Sequence, residues 1–261
     1  MVAMNALQNS EAGTATREFA LLSDATVTGL RTLSLNRPDK ANALSAGMVE
    51  AMHACLDRLG DETRVLVVRG EGRNFCAGFD FQGCEQQTEG DLLLRFVRID
   101  GLLARLRQAP FLTIAWVAGA AFGAGADIVC ACAMRIGSSR ARLRFPGFRF
   151  GVALGTRRLA AIAGASRARI ILLGNEELDS QAALLAGLLT ELFSDEELQA
   201  RVDGIVRSIA GLDAQSMRTL LALTETESSA QRDLADLVSS VARPGLHARI
   251  AAYRAPVSKH E

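Results

Sequence analysis

The feature that most constrains this chain is an almost wholly apolar run, FLTIAWVAGAAFGAGA, at positions 111–126. A membrane-spanning helix needs about twenty such residues. Here Pro110 fixes the start of the run, three glycines interrupt it, and Asp127 ends it too early. Its first half, TIAWV, suits a buried strand. The run therefore predicts a strand, a glycine-rich turn and a helix, and argues against a membrane span.

The same order of strand, loop and helix recurs earlier in the chain. The segment RVLVVR at 64–69 predicts a strand that is covered on both faces, because no polar residue interrupts its apolar centre. Helices are predicted at 45–60, where Ser45 can cap the first turn, and at 91–107, where apolar residues recur at helical spacing. We therefore expect an α/β core.

Helical patterns dominate the sequence from residue 156 onward. Ser180 is a candidate cap for a helix at 181–186, and Ser194-Asp195-Glu196 is typical of another helix start. No internal repeat divides the chain. We expect three regions: a flexible N-terminal tail (1–17), a strand-containing core (18–192) and a C-terminal helical region (193–261).

Composition excludes several classes of function. The chain has 29 Lys plus Arg and 29 Asp plus Glu, so no global charge favours nucleic acid or an anionic membrane surface. Its five cysteines lack paired metal-ligand spacing and only three histidines accompany them, so we expect no metal site and a reducing, cytoplasmic location. The first 17 residues contain no apolar stretch after a basic start, which argues against a signal peptide.

Four segments stand out in chain order: LNRPDKANALS at 35–45, GRNFCAGFDF at 72–81, VAGAAFGAGADI at 117–128 and AALLAGLL at 182–189. Together they resemble the crotonase, or enoyl-CoA hydratase/isomerase, family. The segment at 35–45 is similar to the family's opening motif, and the segment at 72–81 to its first oxyanion loop. VAGAAFGAGADI at 117–128 looks like the second oxyanion loop running into a helix, and AALLAGLL at 182–189 is similar to a later family segment. The four segments occur in the family's order, and the resemblance covers about residues 18–192.

The resemblance implies a crotonase-like spiral of strand-strand-helix repeats followed by a C-terminal helical oligomerisation region. It also implies a homotrimer, often paired into a hexamer. The substrate would be an acyl-CoA thioester, with coenzyme A as part of the substrate and no separate cofactor.

The small residues of the two loops can be explained chemically, without reference to the family. Negative charge that develops on a thioester oxygen must be stabilised, and two converging backbone N–H groups can do this. Small residues at 77–78 and 123–125 leave the main chain bare enough to approach a substrate. By resemblance, the two donors are the amides of Phe79 and Ala124.

The resemblance also implies main-chain contacts to coenzyme A at Ala41, Ala77, Asp80 and Phe81. Arg37 and Lys40 are candidates for contacts to its phosphates. Solvated charges beside a turn are an equally good interpretation of these two residues.

The sequence departs from the family pattern at the acid-base residues. Hydratases of this family have two glutamates; here Asp127 stands at the first position and Gly147, after Phe145-Pro146, at the second. Asp127 keeps a carboxylate, shorter by one bond of roughly 1.5 Å, whereas Gly147 supplies no proton-transfer group. Asp127 also has a second interpretation, as the N-cap of the following helix.

We therefore expect a hydratase/isomerase-like enzyme that stabilises an enolate with two amides and moves protons with a single carboxylate, Asp127. The alternatives are an acyl-CoA hydrolase, a decarboxylase, or a non-catalytic acyl-CoA-binding member of the family.

Overall fold

Two β-sheets organise the chain in a computed structural model, which describes residues 19–24, 29–194, 196–225 and 230–255. The expected tail at 1–17 lies outside these residues. The strands are β1 Ala20–Asp24, β2 Leu30–Leu35, β3 Val65–Gly70, β4 Leu112–Val117, β5 Ala120–Phe122, β6 Met134–Ser138, β7 Arg142–Arg144, β8 Glu177–Leu178 and β9 Glu191–Phe193. The larger sheet has the order β1-β2-β3-β4-β6-β9, and β5-β7-β8 form the smaller one.

Ten α-helices accompany the strands in the described part of the chain. They are α1 Ala46–Asp57, α2 Glu89–Arg107, α3 Ala124–Ala131, α4 Thr156–Ala163, α5 Ala165–Gly174, α6 Ser180–Leu185, α7 Glu197–Ser208, α8 Ala214–Thr224, α9 Ala230–Val241 and α10 Leu246–Arg254. Short 3-10 helices lie at Pro38–Lys40, Cys84–Gln86 and Pro146–Phe150. The mixed α/β class and the helical C-terminal region are therefore confirmed.

The larger sheet is covered on both faces, as the sequence of β3 predicted. Leu66 and Val68 belong to the main core, which includes residues of α1, α2 and α3. Val65 and Val67 point the other way into a second cluster with residues of α7 and α8. The alternation follows from the period of two in a strand, where successive side chains face opposite sides.

The C-terminal helices serve both clusters. Helices α7 and α8 contribute to the second cluster, whereas α9 and α10 supply Leu237, Val241, Leu246 and Ile250 to the main core. The division of the chain at residues 192 and 193 stays a prediction.

Capping residues explain where several helices begin. Ser45 accepts a hydrogen bond from the Met48 amide, as predicted. Helix α2 begins two residues earlier than expected, because Thr88 and Asp91 form a capping box. The prediction of Ser180 as a cap is wrong, since the Asp179 carboxylate accepts from the Ala182 amide and Ser180 is the first helical residue.

The apolar run at 111–126 divides into β4, β5 and the first turn of α3. Within the described residues, no helix combines the length and the apolar character needed to cross a membrane.

Candidate active site

The two glycine-rich loops lie backbone against backbone. The Cys76 amide donates to the Ala120 carbonyl at 3.0 Å, and the Phe122 amide donates to the Cys76 carbonyl at 2.9 Å. Gly78 has a φ of +88°, and a Cβ atom there would lie 2.4 Å from the Phe122 oxygen and 3.2 Å from the Ala124 nitrogen. Only glycine fits this contact. The first loop is therefore held directly beside the start of α3.

This arrangement leaves the two predicted donor amides without an internal acceptor. The neighbours of Phe79 in the chain bond to Leu44, through the Gly78 carbonyl and the Asp80 amide. In an extended segment the Phe79 N–H then points to the opposite side. Ala124 is the first residue of α3, where N–H groups have no intrahelical partner. Among the hydrogen bonds of the described residues, none uses either amide.

Both residues line one cavity, whose empty volume is about 790 Å³ when its opening to solvent is included. Ala77, Phe81, Asp127 and Gly147 line the same cavity. The helix dipole of α3 adds partial positive charge beside the Ala124 amide. The structure thus places Phe79, Ala124 and Asp127, which the sequence singled out, in the lining of one cavity.

Two of the expected coenzyme A contacts lie beside the cavity, outside its lining. Ala41 donates its amide to Pro38 and accepts from the Ala77 amide at 2.8 Å. Asp80 donates its amide to Leu44, and its carbonyl accepts from Arg95 at 2.6 Å. A carbonyl has two lone pairs, so the Ala41 oxygen still has acceptor capacity for a ligand, whereas the Asp80 oxygen also accepts from the Cys84 thiol at 3.8 Å.

Residues of the opening motif (35–45) hydrogen-bond to the first oxyanion loop (72–81) and hold it in place. Asn42 is fully buried with a left-handed φ of +57°, and its side-chain nitrogen donates to the Glu71 and Asn74 carbonyls at 2.9 Å each. Arg37 forms an ion pair of 2.9 Å with Asp80. Burial opposes ionisation of Asp80, but hydrogen bonds from Gln82 and Arg37 outweigh it and lower the pKa of the carboxyl. The Arg37 charge is therefore already paired, whereas Lys40 is exposed.

Asp127 lies in the fourth position of α3, and the N-cap position belongs to Gly123. Its interpretation as an N-cap is therefore wrong. The side chain is buried, yet no hydrogen bond of the described residues involves its carboxyl group. Burial raises the pKa of Asp127 to about 7, while the Arg158 charge lowers it and the Asp100 charge raises it. A carboxyl with this pKa can donate or accept a proton near neutrality.

Gly155 makes room for the Asp127 carboxyl. A Cβ atom at Gly155 would lie 1.9 Å from Asp127 Oδ1 and 2.5 Å from its Cγ. The loop that precedes α4 therefore presses its bare backbone against the carboxyl and holds it in the cavity wall.

A buried charged cluster lies next to Asp127. The Arg158 guanidinium is 3.5 Å from Asp100 of α2 and 3.3 Å from Asp233 of α9, and all three side chains are almost inaccessible to solvent. Burial raises the pKa of Asp100, Arg158 lowers it, and Asp233 raises it. The cluster joins α2, α4 and α9 behind the carboxyl and sets the electrostatic field in which Asp127 titrates.

Packing leaves no room for a side chain at the second acid-base position, Gly147. Gly147 lies in the 3-10 helix Pro146–Phe150, and its carbonyl accepts from the Val152 amide at 2.9 Å. A Cβ atom at Gly147 would lie 2.7 Å from the Val152 oxygen. A glutamate would not fit there without moving the backbone. Asp127 is the only carboxylate among the described residues that line the cavity.

The cysteines and the potential metal ligands of the described residues do not form a second centre. All five cysteines are buried and free, and burial raises the pKa of the Cys76 thiol to about 12. Among the residues that the structure covers, no group of three His, Cys, Asp or Glu side chains is placed to hold a metal ion.

Sequence reasoning missed part of the cavity wall. Tyr253 of α10 and Phe150 line the cavity, although they lie 103 residues apart in the sequence. Their rings pack with centroids 5.0 Å apart. Tyr253 is the only tyrosine in the chain, but nothing in its local sequence indicates a site.

Comparisons with known proteins place the chain in one family. Residues 26–238 match the family model of enoyl-CoA hydratase/isomerase. The chain is 30% identical over 194 residues to a protein designated a probable enoyl-CoA hydratase in Mycobacterium bovis, with 73% of this chain and 77% of that protein covered. It is 32% identical over 178 residues to the ethylmalonyl-CoA decarboxylase of Mus musculus, with 64% of this chain and 55% of that enzyme covered.

The fold is also known from a crystal structure. A Bordetella parapertussis protein of the enoyl-CoA hydratase/isomerase type superposes with a TM-score of 0.87 at 39% sequence identity. The match covers 92% of this chain and 99% of that protein. The crotonase-like fold predicted from the motifs is therefore confirmed, and the similarity extends beyond residue 192 into the C-terminal helices.

Proposed function

The chain belongs to the enoyl-CoA hydratase/isomerase family, and we propose that it is an enzyme that acts on acyl-CoA thioesters. In this proposal the amides of Phe79 and Ala124 bind the thioester oxygen, and Asp127 exchanges a proton with the reacting carbon. One observation carries it: two residues whose amides are unused and one residue with a buried carboxyl line the same, otherwise mainly apolar cavity.

The amides supply the main catalytic effect. As a proton leaves or reaches the carbon next to the thioester, charge develops on the thioester oxygen. Removing one oxyanion-hole donor, an asparagine side chain in the measured case, costs about 10²- to 10³-fold in rate. The small residues of both loops and the N-terminus of α3 are consistent with this role.

Asp127 supplies the acid-base step. General acid-base catalysis contributes about 10²- to 10⁴-fold, and works best when the pKa of the group is near the working pH. Burial of Asp127 meets this condition. The carboxyl delivers or removes the proton, and in a hydration the same group must also activate the water.

Coenzyme A would extend from the cavity past the first loop, within reach of the main chain at Ala41, Ala77, Asp80 and Phe81. It enters as part of the substrate, so no separate cofactor is proposed. Five free thiols are consistent with a reducing cytoplasm. A homotrimer or hexamer, implied by the family resemblance, completes the proposal.

A second candidate function follows from Gly147. With one carboxylate in the lining, the site suits a reaction that needs a single proton donor, such as protonation of the enolate left when a carboxylated acyl-CoA loses carbon dioxide. Similarity to a decarboxylase supports this candidate. Hydrolysis of the thioester and binding of an acyl-CoA without turnover are the two remaining candidates.

A substrate panel separates these functions. Wild-type protein and Asp127→Asn would be tested with an enoyl-CoA, a malonyl-type CoA and a saturated acyl-CoA, following loss of the conjugated absorbance, release of carbon dioxide and release of thiol. Asp61→Asn, at an exposed aspartate, is the matched control. Turnover of one substrate that is lost only in Asp127→Asn supports the proposed enzyme. Binding without turnover of any substrate would leave only a binding role, and absence of binding contradicts the proposal.

A further inference from the structure

Aromatic side chains are concentrated around the cavity. Aromatic residues make up only 5% of the chain, as eleven phenylalanines, one tryptophan and one tyrosine. Seven of the phenylalanines and the tyrosine line this one cavity. They come from the first loop, α2, β5, the segment at 145–150 and α10. Because these segments are far apart in sequence, the fold itself collects the rings.

Three of the rings form a connected wall. The Phe81 ring packs edge-on against Phe150 with centroids 5.7 Å apart, and Tyr253 lies 5.0 Å from Phe150 and 6.1 Å from Phe81. Phe81 and Tyr253 are half-buried, so part of each ring is open. We call Phe81, Phe150 and Tyr253 the aromatic wall.

Contacts around the aromatic wall hold it in place. Phe79 stacks on Phe96 at 4.4 Å, and the Arg95 guanidinium lies 4.1 Å from the Phe79 ring centroid. This fixes the loop that carries Phe81. Arg249 donates to the carbonyls of Phe150 and Gly151 at 2.9 and 3.2 Å, which ties α10 to the segment that carries Phe150.

The rest of the lining is mainly apolar. Leu154, Leu159 and Leu172 are aliphatic. Apart from Asp127 and the tyrosine hydroxyl, the polar side chains are those of Arg144 and Thr156. The Arg144 Nε donates to Asn175 at 3.2 Å. A bulky apolar group beyond the thioester therefore meets mainly ring surface.

From this arrangement we infer that the preferred substrate carries an aromatic ring on its acyl arm, packed against the aromatic wall. The inference rests on the proposed acyl-CoA function and adds its substrate class. Offset-stacked and edge-to-face ring pairs contribute about 2- to 13-fold in affinity beyond the area they bury. A ring also has fewer rotatable bonds to immobilise than an alkyl chain of equal carbon number.

Three thioesters with eight-carbon acyl groups test the inference: phenylacetyl-CoA, cyclohexylacetyl-CoA and octanoyl-CoA. Calorimetry on the full-length protein would give each dissociation constant. We expect phenylacetyl-CoA to bind about tenfold more tightly than either saturated thioester. In Phe150→Leu, which keeps an apolar side chain but removes one ring of the wall, this preference falls by at least about threefold.

Phe193→Leu is the matched control, because Phe193 packs in the second cluster and away from the cavity. It should keep the wild-type preference. If wild-type protein binds octanoyl-CoA as tightly as phenylacetyl-CoA, the substrate class is wrong while the proposed function stands. If Phe150→Leu keeps the full preference, the wall does not select the ring. If none of the three thioesters binds, the proposed function fails as well.

Discussion

Replacing Gly155 with alanine should disable the active site without unfolding the protein. The new Cβ would lie 1.9 Å from Asp127 Oδ1, whereas such contacts are essentially never shorter than 3.0 Å. The carboxyl must therefore retreat by about 1.1 Å. Rotation of the carboxyl about its own bond does not relieve the contact, because its Cγ would lie only 2.5 Å away. A misplacement of about 1 Å in a catalytic group can cost about 100-fold in rate.

The assay compares kcat/KM of Gly155→Ala and wild type on the substrate found in the panel above. We expect a loss of about 100-fold, with affinity for coenzyme A itself unchanged, since the carboxyl does not contact that part of the ligand. Gly174→Ala is the matched control: it makes the same chemical change at a glycine where the new Cβ would have no atom within 4 Å. It should leave kcat/KM within about twofold of wild type.

One result would refute the reasoning. If Gly155→Ala folds with a melting temperature close to that of wild type and keeps full activity, the position of the Asp127 carboxyl does not matter for turnover. If Gly155→Ala loses both activity and melting temperature, the loss reflects general unfolding. The Gly174→Ala control shows whether replacing a glycine with alanine has such an effect where no clash arises.

Three further predictions concern stability. The raised pKa of Asp127, about 7, means that its contribution to stability is present below pH 4 and is lost as pH rises through 7. Asp127→Asn should therefore be more stable than wild type above pH 7, by at most about 4 kcal/mol. Denaturant titrations at pH 5 and 8 measure the difference in free energy of unfolding between the two proteins, which should be smaller at pH 5. Arg158→Met removes the cation that pairs with buried Asp100, whereas Asp233 keeps Arg107 and Arg157 at 3.7 and 3.8 Å, and it should lower the free energy of unfolding by about 3–5 kcal/mol; a loss below about 1 kcal/mol contradicts this. Gly147→Ala places a methyl group 2.7 Å from the Val152 oxygen and should cost about 1–3 kcal/mol in thermal unfolding, whereas an unchanged melting temperature would show that the turn yields freely.

Local chemistry explains what the sequence predicted about the fold. The uninterrupted apolar segment at β3 requires cover on both faces, and the two core clusters provide it. Ser45 could be identified as a cap because its side chain acts within three residues. Short strands such as β8 and β9 were missed, since two or three residues carry no periodic pattern and are defined by their partners β7 and β6.

The site was predictable only where its residues are contiguous. The loops around Phe79 and Ala124 carry their own glycine signals. Long-range contacts leave no such signal in the local sequence. Tyr253 reaches the cavity because α10 packs on the segment at 146–150. Arg158 is buried in an ion-pair cluster with aspartates of α2 and α9. The packing of Gly147 against Val152, which closes the second acid-base position, likewise depends on a turn that appears only in three dimensions.

The most direct test of the central claim is a crystal structure with a bound acyl-CoA thioester analogue. We predict that the thioester oxygen lies about 2.7–3.1 Å from the amide nitrogens of both Phe79 and Ala124, with the neighbouring carbon facing the Asp127 carboxyl. A thioester bound elsewhere, or an oxygen that contacts only one amide while Asp127 faces no part of the ligand, would contradict the account.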